Sequence, residues 1–418
     1  MKILVVGSGA REDAICQSLL KNPRNVVFCA PGNDGMKLNG IKTISIDEDE
    51  FSHLANFAET NEIDYTIVGP EDPLVNGIAD FFKSRKLLVF GPTKEAAQIE
   101  GSKSFTKKLM ADAGIATASY QEFTDLQKAT DFLKTDAEFP IVIKADGLAA
   151  GKGVYISPDQ ADALEKVSEL LDGHKFNTRK VVIEEFLEGE EFSLMAFVDH
   201  KRFYSMPLAQ DYKKIFEDDK GPNTGGMGAV CPVANISTEI EQTAIETVIK
   251  PFVKELYTQG IKYTGIIYAG LILTKNGIKV IEFNARFGDP ETEVVLPRLQ
   301  SDLSEIIDQI LHHKKIAEIE WEKTGLNLGV FAVSKGYPTK QVSGDLGSTD
   351  DFRNCPLTTN FAGVRKEDHH LISNGGRLYL MQTQSQTLSE AQTEIYRELD
   401  KMEQENIFYR RDIGKNSI

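Results

Sequence analysis

Cysteine is scarce in this chain, with four among 418 residues: Cys16, Cys29, Cys231 and Cys355. They are scattered without metal-ligand spacing, and they read as free buried thiols of a reducing compartment. No apolar run approaches the roughly 18 residues that a membrane-spanning helix needs. The opening MKILVVGSGA has too short an apolar stretch for a signal peptide and reads as a first strand. Basic charge is also short, 47 Lys and Arg against 63 Asp and Glu, for a net −16. That balance argues against nonspecific nucleic-acid binding, while leaving room for a small anion at a local site. The seven histidines, at positions 53, 174, 200, 312, 313, 369 and 370, fall outside the candidate functional motifs, which argues against a His-based triad or a His-rich metal site. Internal repeats and low-complexity tracts are not evident.

At this length two to four domains are expected, and 41% hydrophobic with 26% charged residues is a globular composition. Apolar runs at Ile3–Val6, Val26–Cys29, Tyr65–Val68 and Leu87–Phe90 alternate with helical stretches, which predicts a parallel open sheet. Its ligand site should lie at the carboxyl ends of the strands, where Gly7-Ser8-Gly9, Pro31-Gly32-Asn33 and Gly69-Pro70-Glu71-Asp72 form loops. The expected division is residues 1–101 for this substrate-binding domain and 102–116 for a linking helix carrying Lys103. A small lid subdomain at 117–190, a central catalytic subdomain at 191–322 and a C-terminal α/β module at 323–418 complete it.

Residues 280–297 read VIEFNARFGDPETEVVLP. Glu282 and Asn284 sit two apart in an apolar strand and so share one face. A carboxylate and an amide oxygen side by side suit Mg²⁺ held with substrate phosphates. Arg286 follows on the same face, before the charged turn Asp289-Pro290-Glu291. A solvated edge strand is the bland alternative. Gly7-Ser8-Gly9 starts like a dinucleotide fingerprint, but Glu12 stands where the third glycine belongs and Ala30-Pro31-Gly32 where the ribose-binding acid belongs. A nicotinamide enzyme is therefore not expected, although a βα turn with free amides remains a phosphate site. The run Gly147–Gly153 is one residue short of a P-loop and lacks its Ser or Thr. It reads as a flexible glycine loop between strands, flanked by Lys144 and carrying Lys152. Residues 181–193, VVIEEFLEGEEFS, read as a hinge whose backbone can meet an adenine edge, with an acid beyond it for the ribose. KGPNTGGMGA at 220–229 is a permissive glycine turn.

In order, these motifs resemble the ATP-grasp superfamily and, within it, the phosphoribosylamine–glycine ligases. The resemblance covers essentially the whole chain. It is carried by GSGARE at Gly7, APGN at Ala30, VGPEDPL at Val68, KADGLAAGKGV at Lys144 and EEFLEGEEFS at Glu184, and continues through KGPNTGGMGA at Lys220, EFNARFGDPET at Glu282, SKGYP at Ser334 and FYRRDIG at Phe408. It implies an α/β, ATP-grasp fold with an N-terminal parallel open-sheet domain, and a reaction in de novo purine biosynthesis. ATP, glycine and 5-phosphoribosylamine would give ADP, phosphate and glycinamide ribonucleotide through glycyl phosphate. Phosphoryl transfer needs positioning and charge neutralisation more than a proton-transfer residue, consistent with motifs lacking histidine.

The resemblance implies Arg286, Lys144, Asp211 and Asp289 in catalysis, and Mg²⁺ or Mn²⁺ on Glu282 and Asn284. ATP would be held by Lys103, Lys144, Gly151, Gly153, Glu184, Glu185, Phe186, Leu187, Glu191, Lys213 and Asn223. Gly9, Arg11, Gly32, Asn33, Asp211, Arg286, Asp289 and Pro290 would hold the other substrates. A cytoplasmic enzyme is expected, monomeric with a dimer as the alternative, touching the upstream purine-pathway enzyme transiently and contacting neither nucleic acid nor membrane. Two motifs depart from the family's usual pattern, at three positions. Ala10 and Asp13 replace Gly and His in the first turn, and Tyr212 replaces His after Gln210-Asp211. Asp13 would place negative charge near the expected phosphate loops. Rival readings are another ATP-grasp ligase acting on a related ribonucleotide, and a nucleotide-binding regulator without catalysis.

Overall fold

A computed structural model describes residues 1–148, 153–173, 176, 178–402 and 405–417. Strand β1 (Lys2–Gly7) is buried along almost its whole length, which is why its sequence is a near-continuous apolar run. It sits in the middle of a five-stranded parallel sheet. The order across the sheet is Lys42–Thr43, Val26–Pro31, β1, Tyr65–Val68 and Val89–Phe90. Helix α1 (Ala10–Leu20) leaves β1 at once, so the loops that end β1, Val26–Pro31 and Tyr65–Val68 converge on its N-terminus.

The helix Lys103–Ala113 leads into a four-stranded antiparallel lid ordered Tyr120–Phe123, Val181–Glu185, Ile141–Ala145 and Val154–Ser157. Two helices back it, Leu126–Thr135 and Gln160–Leu171. Each begins at an aspartate, Asp125 or Asp159, whose side chain accepts from the amide three residues on. The central sheet is antiparallel, ordered Arg202–Ser205, Glu190–Asp199, Thr264–Thr274 and Gly277–Asn284, and carries a bulge at Gly270/Leu271. The first and central sheets share a core in which Leu4 and Val6 join a cluster with Leu194, Ala269 and Phe283.

The C-terminal sheet does not keep to the sequence division at residue 323. It recruits Gln210–Asp211 and Gly228–Cys231 beside Leu326–Ser334, Arg377–Ser385 and Thr358–Phe361. The glycine turn at 220–229 is therefore held between the central and C-terminal regions. The last long helix runs Leu388–Lys401 and packs against the C-terminal sheet. Among the described residues no helix is long and apolar enough to cross a membrane.

Candidate active site

A cavity of about 470 Å³ opens where the lid, the central sheet and the loops after the parallel strands meet. The strand Gly277–Asn284 supplies one wall. Its pairing opposes Glu282 to Gly270 and Asn284 to Tyr268, which sets both polar side chains on the cavity face. Neither side chain forms a hydrogen bond with another described residue. Burial pushes the Glu282 carboxyl up, but Lys213, Lys144, Lys103 and Arg286 together hold it below its ordinary range.

The lysines are positioned by acids of their own. Lys144 Nζ lies 2.9 Å from Glu184 Oε2 and donates to the Ile281 carbonyl at 3.0 Å. Glu184 is itself buried and holds Lys107 at 3.0 Å through Oε1. Lys103 opens the helix Lys103–Ala113. Its Nζ donates to the Gly147 carbonyl at 3.1 Å, and its amide donates to Asp146 Oδ1 at 2.7 Å. Lys213 pairs with Glu191 at 2.8 Å and lies 3.8 Å from Asp211. Burial pushes Asp211 up to about 7 despite Lys213, with Glu291, Glu191 and Glu282 adding to the rise. The hinge residues Glu185, Phe186 and Leu187 line the cavity together with apolar Val142, Ile156 and Ile272, and Gly153 and Asn223 are also on its wall. Gly151 and Lys152 lie outside the described residues.

Arg286 is gripped by two acids, Glu100 Oε1 at 2.9 Å and Glu71 Oε2 at 3.3 Å. Arg11 shares Glu71 at 3.9 Å and binds Glu12 at 2.6 Å. The result is an alternating row, Glu12–Arg11–Glu71–Arg286–Glu100. Burial raises Glu71, yet Arg286 and Arg11 bring it down to about 2, whereas burial lifts Glu100 to about 7. Asp289 accepts from Arg377 at 2.6 Å through Oδ2, and its buried Oδ1 has no hydrogen-bond partner among the described residues. Arg377 also donates to the Gly225 carbonyl and stacks 4.5 Å from the Phe331 centroid. Gly226 takes φ +105°, and a Cβ there would meet Pro290 at 2.5 Å, so the GGMG turn needs glycine to pass. Pro290 supports this turn and does not line the cavity.

The other first-domain residues fall differently from the sequence-based expectation. Arg11 reaches the cavity; Gly9, Gly32 and Asn33 do not line it. The Gly9 amide already donates to Glu12 Oε2 at 2.7 Å. Asn33 Nδ2 donates to the Ser8 and Phe361 carbonyls at 2.9 and 3.0 Å. The Glu12 side chain fills the junction of the loops, since a Cβ on Gly7 or Gly69 would come within 2.6 or 2.0 Å of it. Asp13 does not face this junction. It is fully buried and accepts from the Phe361 amide at 2.7 Å, Gln17 at 2.9 Å and Asn39 at 3.0 Å. Its partners are the Phe361 backbone amide and the side-chain amides of Gln17 and Asn39, at the seam with the C-terminal sheet. Tyr212 likewise turns away from the cavity, its hydroxyl 2.9 Å from Ser417 Oγ.

Sequence reasoning placed the Glu71 loop near the site but gave no role to Glu71, Glu100, Glu291, Tyr268 or Arg377, all on the cavity wall. Glu291 Oε1 accepts from Ser193 and Tyr268, both at 2.8 Å, on the cavity wall. The clue for Glu71 and Glu291 was their place inside the motifs GPED and DPET; Glu100 and Arg377 carry no comparable mark.

Profiles of the phosphoribosylglycinamide synthetase family match in three pieces: the N domain at 1–100, the ATP-grasp (A) domain at 101–292 and the C domain at 327–416. The chain is 47% identical over 424 residues to a phosphoribosylamine–glycine ligase of Streptococcus pneumoniae, covering 100% of each chain. Among solved structures, a phosphoribosylamine–glycine ligase from Thermotoga maritima superposes with a TM-score of 0.84 at 32% identity, over 99% of this chain and 100% of that one. The biotin carboxylase domain of a 2-oxoglutarate carboxylase from Hydrogenobacter thermophilus, solved with magnesium ADP and bicarbonate, has a TM-score of 0.73. It covers 97% of this chain and 91% of that one, and at 14% identity the likeness is one of fold.

Proposed function

Because the chain belongs to the phosphoribosylamine–glycine ligase family, we propose here how its cavity carries out that family's reaction. The protein is an ATP-grasp ligase that binds ATP and joins glycine to 5-phosphoribosylamine, a step of purine biosynthesis. One observation carries the assignment of roles. Glu282 and Asn284 face the cavity without hydrogen bonds to other described residues, while four cations hold Glu282 charged. Two hard oxygen donors next to lysines fit Mg²⁺ or Mn²⁺. Such an ion would neutralise charge on the phosphoryl group being transferred.

Lys103, Lys144 and Lys213 then meet the ATP phosphates, with Gly153 and Asn223 around them, and Glu184 orients Lys144. The adenine lies against the hinge Glu185–Leu187, and Glu191 reaches the ribose. Arg286 holds the glycine carboxylate, while Asp211 and the unpartnered Asp289 Oδ1 receive its ammonium group. A glycine carboxylate oxygen attacks the γ-phosphorus, ADP leaves, and glycyl phosphate forms. The amine of phosphoribosylamine attacks the carbonyl carbon and expels phosphate. Its own phosphate group we place toward Arg11, with Gly9, Gly32 and Asn33 shaping the loop behind. Closure of the lid keeps water from the acyl phosphate. The four free thiols fit a reducing, cytoplasmic setting.

Phosphate release should require ATP, glycine and freshly generated phosphoribosylamine together. Release at the same rate without the amine, or without glycine, would overturn the reading.

A further inference from the structure

The strand Glu190–Asp199 starts beside the ATP cavity, with Glu191 on its wall, and ends eight residues further on at Asp199. At about 3.4 Å per residue that is roughly 27 Å away. There, Asp199 is buried and two histidines converge on it. His200 occupies the two-residue turn between paired Asp199 and Arg202, and His313 follows the helix Leu303–Leu311 just past its C-cap, His312.

Both histidines hold left-handed backbone, each at φ +54°. Hairpin turns and helix C-terminal positions of this kind ordinarily take Gly or Asn, because a larger side chain costs on the order of 1 kcal/mol there. The two imidazoles stack with centroids 4.7 Å apart and planes 28° from parallel. His313 Nδ1 lies 2.7 Å from Asp199 Oδ1, and His200 Nδ1 is buried with no hydrogen-bond partner among the described residues. Arg202 binds the other Asp199 oxygen and donates to the His313 carbonyl at 2.6 Å, so it fixes the carboxylate and the end of the helix together.

One ligand-capable atom from each of Asp199, His200 and His313 lies within 4.8 Å of the others. Two imidazole nitrogens and one carboxylate oxygen form a donor set suited to Zn²⁺ and its transition-series neighbours, and poorly suited to Mg²⁺ or Ca²⁺. Tetrahedral Zn²⁺ wants its ligand atoms about 3.3 Å apart, given bonds of about 2.0–2.1 Å. The half-exposed His313 ring can close that gap by rotating. Arg202 serves as the outer partner that ligating carboxylates commonly have. The positive charge of Arg202, Lys83 and Lys262 opposes a dication, which sets a moderate affinity.

We propose that Asp199, His200 and His313 form a binding site for a transition-series dication, with Zn²⁺ as the reference ion, separate from the ATP cavity. Binding would staple the hairpin turn to the end of the helix Leu303–Leu311. An ion that binds only the folded chain raises its stability.

The test is titration of the full chain with ZnCl₂ by calorimetry, with Mg²⁺ and ADP in excess to occupy the ATP cavity. Co²⁺ absorption serves as a second readout of imidazole coordination. One equivalent of Zn²⁺ should bind and raise the melting temperature. His313→Gly and His200→Gly suit both backbone positions and should keep the fold. Each should weaken Zn²⁺ at least tenfold, about 1.4 kcal/mol, remove the thermal shift, and leave ligase turnover with Mg²⁺ unchanged. Absence of saturable Zn²⁺ binding in the wild type up to about 1 mM, a Kd that corresponds to only about −4 kcal/mol, would overturn the proposal. Equal binding by the wild type and both variants would overturn it as well.

Discussion

Glu282 and Arg286 lie four residues apart and have opposite surroundings. Glu282 has cations around it and no hydrogen bond to another described residue, so its charge is available to a ligand. Glu282→Gln removes the charge and keeps the shape. Turnover should fall by two orders of magnitude or more, about 2.7 kcal/mol or above at 1.36 per tenfold, with the melting temperature little changed. Asn284→Ala should act in the same direction. Near-normal turnover of either variant at limiting Mg²⁺ would remove the metal assignment. Arg286, by contrast, is already bound to Glu71 and Glu100, and its planar fork spans both. Lysine offers a point charge in place of that fork. Arg286→Lys should therefore raise the glycine KM at least tenfold and change the ATP KM much less. A rise confined to ATP would mean that Arg286 serves the phosphates.

Elements differ in how plainly the sequence announced them. The face shared by Glu282 and Asn284 was legible because strand periodicity is visible within a few letters, and β1 with α1 was legible because an apolar run meets a glycine turn. The row of acids and arginines was not, since Glu71 meets Arg286 across 215 residues and no local pattern encodes that distance. The lid strand Tyr120–Phe123 was missed because its exposed, polar residues lack a buried face. The latch between lid and linking helix was hidden for a similar reason. Asp146 directly precedes the glycine loop, yet its carboxylate takes the amides of Lys103 and Ser104 and the Ser104 hydroxyl. It thus supplements Ser102 at the N-terminus of the helix Lys103–Ala113. Asp146→Ala should cost about 1 kcal/mol, as loss of a helix cap does. It should also release Lys103 from its place, raising the ATP KM. Hydrogen exchange should rise in the first turn of that helix, and unchanged exchange there would show that Ser102 suffices.

At the scale of the whole molecule, the first domain meets the C-terminal sheet through a buried carboxylate. Asp13 reaches the Phe361 amide 348 residues away, and Gln17 and Asn39 complete its shell. Because it faces this seam, Asp13→His should not change the phosphoribosylamine KM selectively, contrary to what a side chain facing the phosphate loops would do. The consequence lies in stability instead. Burial pushes Asp13 up to about 7 against the pull of its three N–H donors. In the unfolded chain an aspartate titrates near 3.9. Below about pH 4 both states hold the proton and the shift contributes nothing. Between about pH 4 and 7 the unfolded chain releases a proton that the folded chain keeps, so stability falls as pH rises. Above about pH 7 the loss is complete, on the order of 4 kcal/mol at 1.36 per unit. Asparagine cannot titrate. Asp13→Asn should therefore show an offset at pH 5 that reports the altered hydrogen bonds, and then gain on the wild type as pH rises to 7.5. Thermal melts of both proteins across that range make the comparison. Parallel profiles would mean that Asp13 is ionised throughout, its three donors outweighing burial, and that the seam is held by a charge instead of a proton.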